Sequence, residues 1–413
     1  MPEKHTKLLI RDAFLSTVFV FAFIAIFAFN PFNFHLFNII GDSFKDIEIT
    51  DLIYSGKNPK KTEIEAKISN DIVLINAADR GRGEIANLIN KINREKPAVV
   101  GIDFLFEGPK NPFDDSLLKA AFNTTSKIVI ASKFKNSEGH HSEKGENKDE
   151  YIRTWSGLGS HNEGYANLMI PSMDKTVRYF RTKDEFNKKS VNPFSLEIVK
   201  QFDPKKAEAF ANRNKPFELI NYQGNLNTLH HFNGNDIESG NFPNGFLKNK
   251  IVLVGFFGSD CNPNPILDDY FYTPLNEKII ARKSPDAYGI VIQANIINMI
   301  LKQDYVTKVP VWVDVFFGFF ICFLHNFIFI WLYVHKHLWY HFFAKMIQLV
   351  TTILLILLCI YLFRQFHIKL SASPFIVPVL LTVDLLYFYD TLVKWLHKKN
   401  KTKTYFLTGP LHH

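Results

Sequence analysis

The chain is poor in cysteine: Cys261, Cys322 and Cys359 are the only three. So few thiols cannot build the disulfide framework of a small secreted domain. Cys322 and Cys359 fall in apolar runs, which leaves Cys261 as a free thiol outside them. Catalytic signatures are also missing. There is no nucleophile elbow, no H-E-x-x-H and no G-x-x-x-x-G-K-[ST], so these hydrolase and phosphate-loop chemistries lack sequence support. A net charge of +8 would suit a nucleic-acid binder. Much of the basic excess, however, flanks apolar spans: Lys4, Lys7 and Arg11 at one end, Lys394, Lys398, Lys399, Lys401 and Lys403 at the other. That placement is a membrane-topology signal, and no nucleic-acid partner is expected.

What is present is strongly partitioned. Mean hydropathy is −0.03, an average over apolar ends and a polar middle. Ala13 to Phe29 is long enough to cross a hydrocarbon core. It lacks the small residues of a signal-peptidase site and runs into Asn30-Pro31-Phe32, so an uncleaved anchor is expected. Three further spans are expected at Val311–Val334, Met346–Phe363 and Pro374–Val393. With the N-terminus inside, four crossings place the Lys336 to Lys345 loop and the basic tail inside too, as the positive-inside rule asks; Arg364 and Lys369 on the outer side run against it. The expected domains are 1–30 (cytoplasmic N-terminus and first span), 31–310 (extracytoplasmic), 311–393 (three spans) and 394–413 (a short cytoplasmic tail). The expected location is a bacterial inner membrane, with the large domain in the periplasm or outside the cell.

The middle of the chain is organised around Asp71 to Phe106. DIVLINA is a β-branched apolar run, as in a strand buried on both faces. Ile85, Leu88, Ile89 and Ile92 follow at helical spacing, Lys96-Pro97 ends that helix, and AVVGIDFLF is a second buried strand. This βαβ unit predicts an α/β fold with a mainly parallel sheet. Asp79, Arg80 and Arg82 lie at the first strand's exit and Asp103 late in the second, where ligands of open α/β sheets bind. A helix starting at Asp115 or Ser116 and the strand KIVIASKF continue the pattern. Beyond them are expected a strand at GYANLMI, a helix from Pro193 to Asn212, strands at FELINY and KNKIVLVGFFGSD, and a final helix GIVIQANIINMIL with Ile290, Ala294, Ile297 and Leu301 on one face. His140-His141 sits in a polar loop without the oriented support a metal site needs, and Gly255 and Gly258 read as a close turn.

In their order these residues resemble the second type of CHASE domain, an extracytoplasmic sensor of bacterial membrane receptors, with the three-helix membrane module usual after it. The matching residues are Asp79 and Arg82, Asp103 in VVGIDFLF, Asp114 or Asp115, Asp174 and Arg178 in DKTVR, and IVLVG. They continue with Asp269 and Thr273-Pro274 in DYFYTPL, then Gly289, Ala294 and Asn295 in the last helix. The resemblance spans roughly Phe34 to Val393 and implies a sensor domain between one N-terminal and three C-terminal transmembrane helices. Two departures bear on ligand binding: Lys175-Thr176 stand where the family commonly has glycine after the aspartate, and Gln293 stands where it often has histidine. Family members often carry an enzymatic output domain after the membrane. Only about twenty residues follow Val393 here, too few for a domain.

The expected function is therefore a membrane-anchored sensor that binds a small polar ligand and signals through a separate cytoplasmic or membrane partner. Candidate ligand contacts are Asp79, Arg82, Asp103, Arg178, Asp269 and Thr273, with loop-fixing ion pairs and helix caps as the other reading of these charges. No cofactor, metal or catalytic residue is expected, and receptor signalling is compatible with a homodimer. One alternative is an anchored hydrolase using Asp79, Asp103 and Asp269 as acid and base or with a metal. Another is a membrane-complex or transport subunit built on His325 and Asp384, which lie deep in the spans, although a pairing of the two across helices that simply holds the bundle together is the favoured reading; Asp314 and Asp390, nearer span ends, are expected to reach water.

Overall fold

A computed structural model describes residues 3–28, 49–55, 69–135, 150–170, 175–258, 269–276, 284–335 and 337–408. His140, His141, Asp174 and Cys261 lie outside the described residues. The chain forms two units, one of Met1–Thr50 with Thr307–His413 and one of Asp51–Val306.

In chain order the elements begin with helices α1 (Glu3–Ala28) and α2 (Ile49–Ser55). They continue with β1 (Ile72–Asn76), α3 (Arg82–Arg94), β2 (Val99–Ile102), α4 (Pro112–Thr124) and β3 (Ile128–Phe134). Short strands β4 (Tyr151–Ile152), β5 (Asn162–Tyr165), β6 (Tyr179–Arg181), β7 (Asp184–Phe186) and β8 (Lys189–Val191) precede helices α5 (Phe194–Phe202) and α6 (Pro204–Ala211). Then come β9 (Phe217–Leu219), β10 (His230–Asn233), α7 (Gly234–Ser239), β11 (Ile251–Gly255), β12 (Tyr270–Phe271), β13 (Ala287–Tyr288) and α8 (Gly289–Lys302). The second part of the other unit holds β14 (Thr307–Lys308), α9 (Val311–His335), α10 (Tyr340–Phe366), β15 (Ile368–Lys369) and α11 (Ser373–Asn400).

The larger unit is built on a sheet of order β10-β1-β11-β2-β3, extended by β5 parallel to β3 and by β4 antiparallel to it. Every other pairing in that sheet is parallel. The fold class is thus α/β, as expected. The first βαβ unit leaves a one-strand gap between β1 and β2, which β11 fills in register, Ile72 beside Ile251 and Ile251 beside Val99. All residues of β1, β2 and β11 are buried, which is why they are apolar without alternation. On one face, Ile85, Leu88, Ile89 and Ile92 of α3 and Leu118, Ala121 and Phe122 of α4 pack on Val73, Ile75, Val100, Ile102 and Val254. On the other face lie α5 and α8. A methyl group on Gly101 would come within 2.7 Å of Ile198 and 3.2 Å of Phe194, and one on Gly255 within 2.5 Å of Ile290.

Several expectations are corrected. The second strand ends at Ile102, so Asp103 follows it. Helix α4 starts at Pro112, not at Asp115 or Ser116, because Asn111 caps it by accepting from the N–H groups of Phe113 at 2.9 Å and Asp114 at 3.4 Å. The helical stretch after Pro193 is two helices, broken at Asp203, which caps α6 through Lys206 N at 3.2 Å just before Pro204. The strand sought in GYANLMI ends at Tyr165. Helix α8 is buried from Gly289 to Leu301 on all sides rather than along one stripe. Its outer polar side chains bond protein: Asn295 accepts from Gln223 N at 2.9 Å and donates to Gly224 O at 3.0 Å.

The smaller unit contains four helices long and apolar enough to cross a membrane: His5–Ile26, Val311–His335, Tyr340–Phe366 and Ser373–Asn400. The first is longer at its N-terminal end than Ala13–Phe29. Polar side chains tie the helices together, as bilayer packing favours. Ser16 donates to Asn326 at 2.8 Å, Asn326 donates to Thr17 at 3.0 Å, and Gln348 donates to Val379 O at 2.7 Å. Asp314 and Asp390, expected to reach water, are buried in protein. Asp314 accepts from Ser371 N at 3.1 Å, and Asp390 from Tyr333 at 3.1 Å and Lys394 at 2.8 Å.

Candidate functional site at the strand ends

Parallel strands deliver their carboxyl ends to one edge of the sheet, and the loops leaving that edge are clasped by a single amide. Asn76 donates to Gly258 O at 2.9 Å and accepts from Ala78 N at 3.0 Å and Phe257 N at 3.1 Å. The loop after β1 and the loop after β11 are thereby fixed to each other. Asp103 leaves β2 beside them, its N–H donating to Val254 O at 2.8 Å. Gly255 gives it room: a Cβ there would lie 3.2 Å from that of Asp103.

Asp269 arrives just before β12 and places its carboxylate over the first turn of α8. A Cβ on Gly289 would stand 2.9 Å from Asp269 Oδ1, so this glycine is required for close approach. Both aspartates are half-buried. Burial pushes Asp103 up to about 6. Asp269 is pushed up to about 7, first by burial and then by the charge of Asp103, while Lys133 at the end of β3 pulls it back. Among the described residues, neither carboxylate is hydrogen-bonded to another side chain. Three half-buried rings cluster around Tyr288, which feels the charge of Asp269. Tyr270 and Tyr288 have centroids 4.6 Å apart, and Phe256 lies 6.1 Å from Tyr288. Burial and then the charge of Asp269 raise the Tyr288 hydroxyl above its ordinary value.

The other candidates do not join this pair. Arg82 is buried and taken up by Asp115 at 2.6 Å, Glu107 O at 3.0 Å and Gly108 O at 2.9 Å. Arg178 is buried in a two-point ion pair with Asp51, at 3.1 and 2.7 Å. Both arginines thus have the bidentate or multiply bonded geometry of structural braces. Thr273 serves Asp286, donating through its N–H at 2.7 Å and its hydroxyl at 2.6 Å. Asp79 is exposed on the turn after β1. In the smaller unit His325 contacts Thr351 at 3.3 Å, and Asp384 is exposed and paired with Lys345 at 3.3 Å. Each therefore bonds a different residue of α10. Among the described residues no group of three metal-ligating side chains converges.

Sequence reasoning missed Asp51, whose surroundings carry no readable period, and Lys133, which looks like any strand-end lysine. Gln293 stood out only as a departure from the family pattern. The ring cluster had no signal, since Phe256, Tyr270 and Tyr288 come from three separate segments.

A parallel α/β domain with two half-buried carboxylates at its strand ends, in a chain with four helices long and apolar enough to cross a membrane, defines the class: a membrane protein with a large α/β domain. The family model for the CHASE2 domain matches residues 71–334, and the chain belongs to that family of extracytoplasmic sensor domains. No curated protein and no solved structure matches the chain.

Proposed function

We propose that this protein is a membrane-anchored sensor that takes up a small polar ligand between Asp103 and Asp269, without transforming it. The observation that carries this reading is the contrast in how the domain treats its carboxylates. Asp51 and Asp115 each receive a buried arginine. Asp103 and Asp269 both lie by the first turn of α8, and Asp269 feels the charge of Asp103 with only the partial help of Lys133. Perturbed carboxyls in a crevice are functional-site candidates, and strand carboxyl ends are where this architecture binds ligands. The domain would lie in the periplasm or outside a bacterial cell, with its anchors in the inner membrane. Its state would pass along α8, whose last residue is separated from α9 by residues 303–310 only. A shift of α8 by an ångström or two is of the size that switching helices use. The receiver is a cytoplasmic or membrane signalling partner, and a homodimer would suit such relay.

One observation favours a second reading. Two carboxyls raised by burial to about 6 and about 7 are placed to exchange protons near neutral pH, as acid–base chemistry requires, so an anchored hydrolase is the alternative. A thermal-shift screen of the full chain in nanodiscs, against small polar molecules and divalent metals, separates the two. Stabilisation by a small molecule without turnover supports the sensor. Hydrolysis of a test ester or phosphate, lost in Asp103→Asn, supports the enzyme instead.

A further inference from the structure

The crevice also indicates the chemical class of its guest. The inference rests on the sensor reading above and adds the ligand's charge and polarity. Gln293 lies one turn beyond Gly289 on the same face of α8, the face over which Asp269 sits. Its Nε2 donates at 3.1 Å to Ala166 O, immediately past the end of β5. Ala166 N in turn donates to Ser132 O, next to Lys133. The amide is thus fixed at the same strand ends as the two aspartates. Gln293 is 3% exposed, and its Oε1 has no hydrogen-bond partner among the described residues. An orphaned buried acceptor is costly and calls for a donor.

The crevice therefore presents two carboxylates, an unused amide oxygen and a cluster of aromatic rings. The carboxylates, the amide oxygen and the ring faces suit a cation, while Lys133 and the hydroxyls of Tyr270 and Tyr288 are donors beside them. We propose that this site binds an organic ammonium ion, whose N–H groups bond Asp103, Asp269 and Gln293 Oε1 while its charge lies against Tyr270, Tyr288 and Phe256. Carboxylates and aromatic faces together are the usual surroundings of a bound ammonium. An ammonium supplies the positive charge that Lys133 alone does not, since two carboxylates outnumber one lysine. Asp286, the other charge near Tyr270, is already engaged by Thr273. A metal ion is the less suited cation, because no three-ligand cluster exists among the described residues and an amide oxygen with two carboxylates offers few donors.

The test is isothermal titration of the full chain in nanodiscs with benzylammonium and n-propylammonium, and with the neutral benzyl alcohol and n-propanol. At pH 8 we expect at least one ammonium to bind and its neutral counterpart to bind at least tenfold more weakly. Lowering the pH to 5 should weaken ammonium binding at least tenfold, because both carboxyls, raised to about 6 and about 7, then hold their protons; the other charged or titratable groups beside them are Lys133, Asp286, Tyr270 and Tyr288. Asp269→Asn should abolish binding, and Gln293→Leu should weaken it several-fold; unfolding midpoints show whether each variant is folded, and Asp103→Asn is the substitute if one is not. Equal binding of ammonium and alcohol, binding unchanged in folded Asp269→Asn, or calcium binding that excludes the ammonium overturns the inference. If neither ammonium binds but a neutral or anionic molecule stabilises the protein through Asp269, the sensor reading stands and the ammonium assignment falls. If no molecule of any charge binds, both fall.

Discussion

Arg178 with Asp51 and Asp103 with Asp269 are two charged pairs in one domain, and they are handled in opposite ways. The first joins opposite charges, both buried, through two short hydrogen bonds. The second brings like charges together where only Lys133 eases the repulsion. Burying an ion pair is close to neutral for stability once desolvation is counted, but leaving one member alone is expensive. An unmatched like-charge pair has no such structural justification. The difference separates a brace from a site, a distinction that residue type and strand-end position alone cannot make.

Breaking the brace should give the largest effect. Arg178→Ala leaves Asp51 buried without its partner and should cost about 3 to 5 kcal/mol of domain stability, read from the unfolding midpoint of the full chain. Replacing both, as Arg178→Met with Asp51→Leu, should recover most of that loss. Arg82→Ala should behave like Arg178→Ala, because Asp115, whose pKa the Arg82 hydrogen bond lowers, is buried too.

The like-charge pair should show itself next, as a pH dependence of opposite sign to ordinary acid denaturation. Asp103 and Asp269 hold protons more tightly folded, about 6 and about 7, than at the ordinary 3.8. Their contribution is therefore fully present below pH 4 and is lost as pH rises to about 7, by at most about 1.4 kcal/mol per pH unit for each group. Urea unfolding from pH 4 to 8 should show a shallower decline in Asp269→Asn than in the wild type. An identical slope in the two would mean that Asp269 carries no raised affinity for protons.

A smaller change should touch the site and spare the scaffold. Gly289→Ala puts a methyl group 2.9 Å from where Asp269 Oδ1 lies, so that carboxylate must move. Ligand affinity should fall by roughly tenfold, about 1.4 kcal/mol, with little change in unfolding. The smallest effect is expected in the other unit. His325→Phe and Asp384→Asn remove contacts to Thr351 and Lys345, and neither should alter ligand affinity measured on the same protein.

How much of this was legible in the sequence follows from which signals are local. Strands β1, β2 and β11 and helix α3 carry their burial in unbroken apolar runs or helical periodicity, so the α/β class could be read directly. The apolar spans were equally plain. Boundaries set by single polar contacts, such as the Asn111 cap of α4 and the Asp203 break, were not. Strand β10 was missed because His230 to Asn233 has no apolar pattern at the sheet's edge. At the site, Asp103 and Asp269 were named from the strand ends and the resemblance. Arg82 and Arg178 were named beside them because an arginine reads the same whether it holds a ligand or a buried aspartate. Only the positions of Asp115 and Asp51 distinguish the cases, and Asp51 comes from a segment about 130 residues earlier in the chain than Arg178.

The most direct test of the account compares the wild type with Asp269→Asn in two readouts at pH 8: the unfolding midpoint, and the shift of that midpoint by a bound small molecule. We expect the variant to unfold at or above the wild-type temperature and to lose the shift, because an uncompensated carboxylate is being removed from a binding site. A variant that unfolds far below the wild type, or that keeps the shift, would show Asp269 to be part of the scaffold and would contradict the assignment of this crevice as the site.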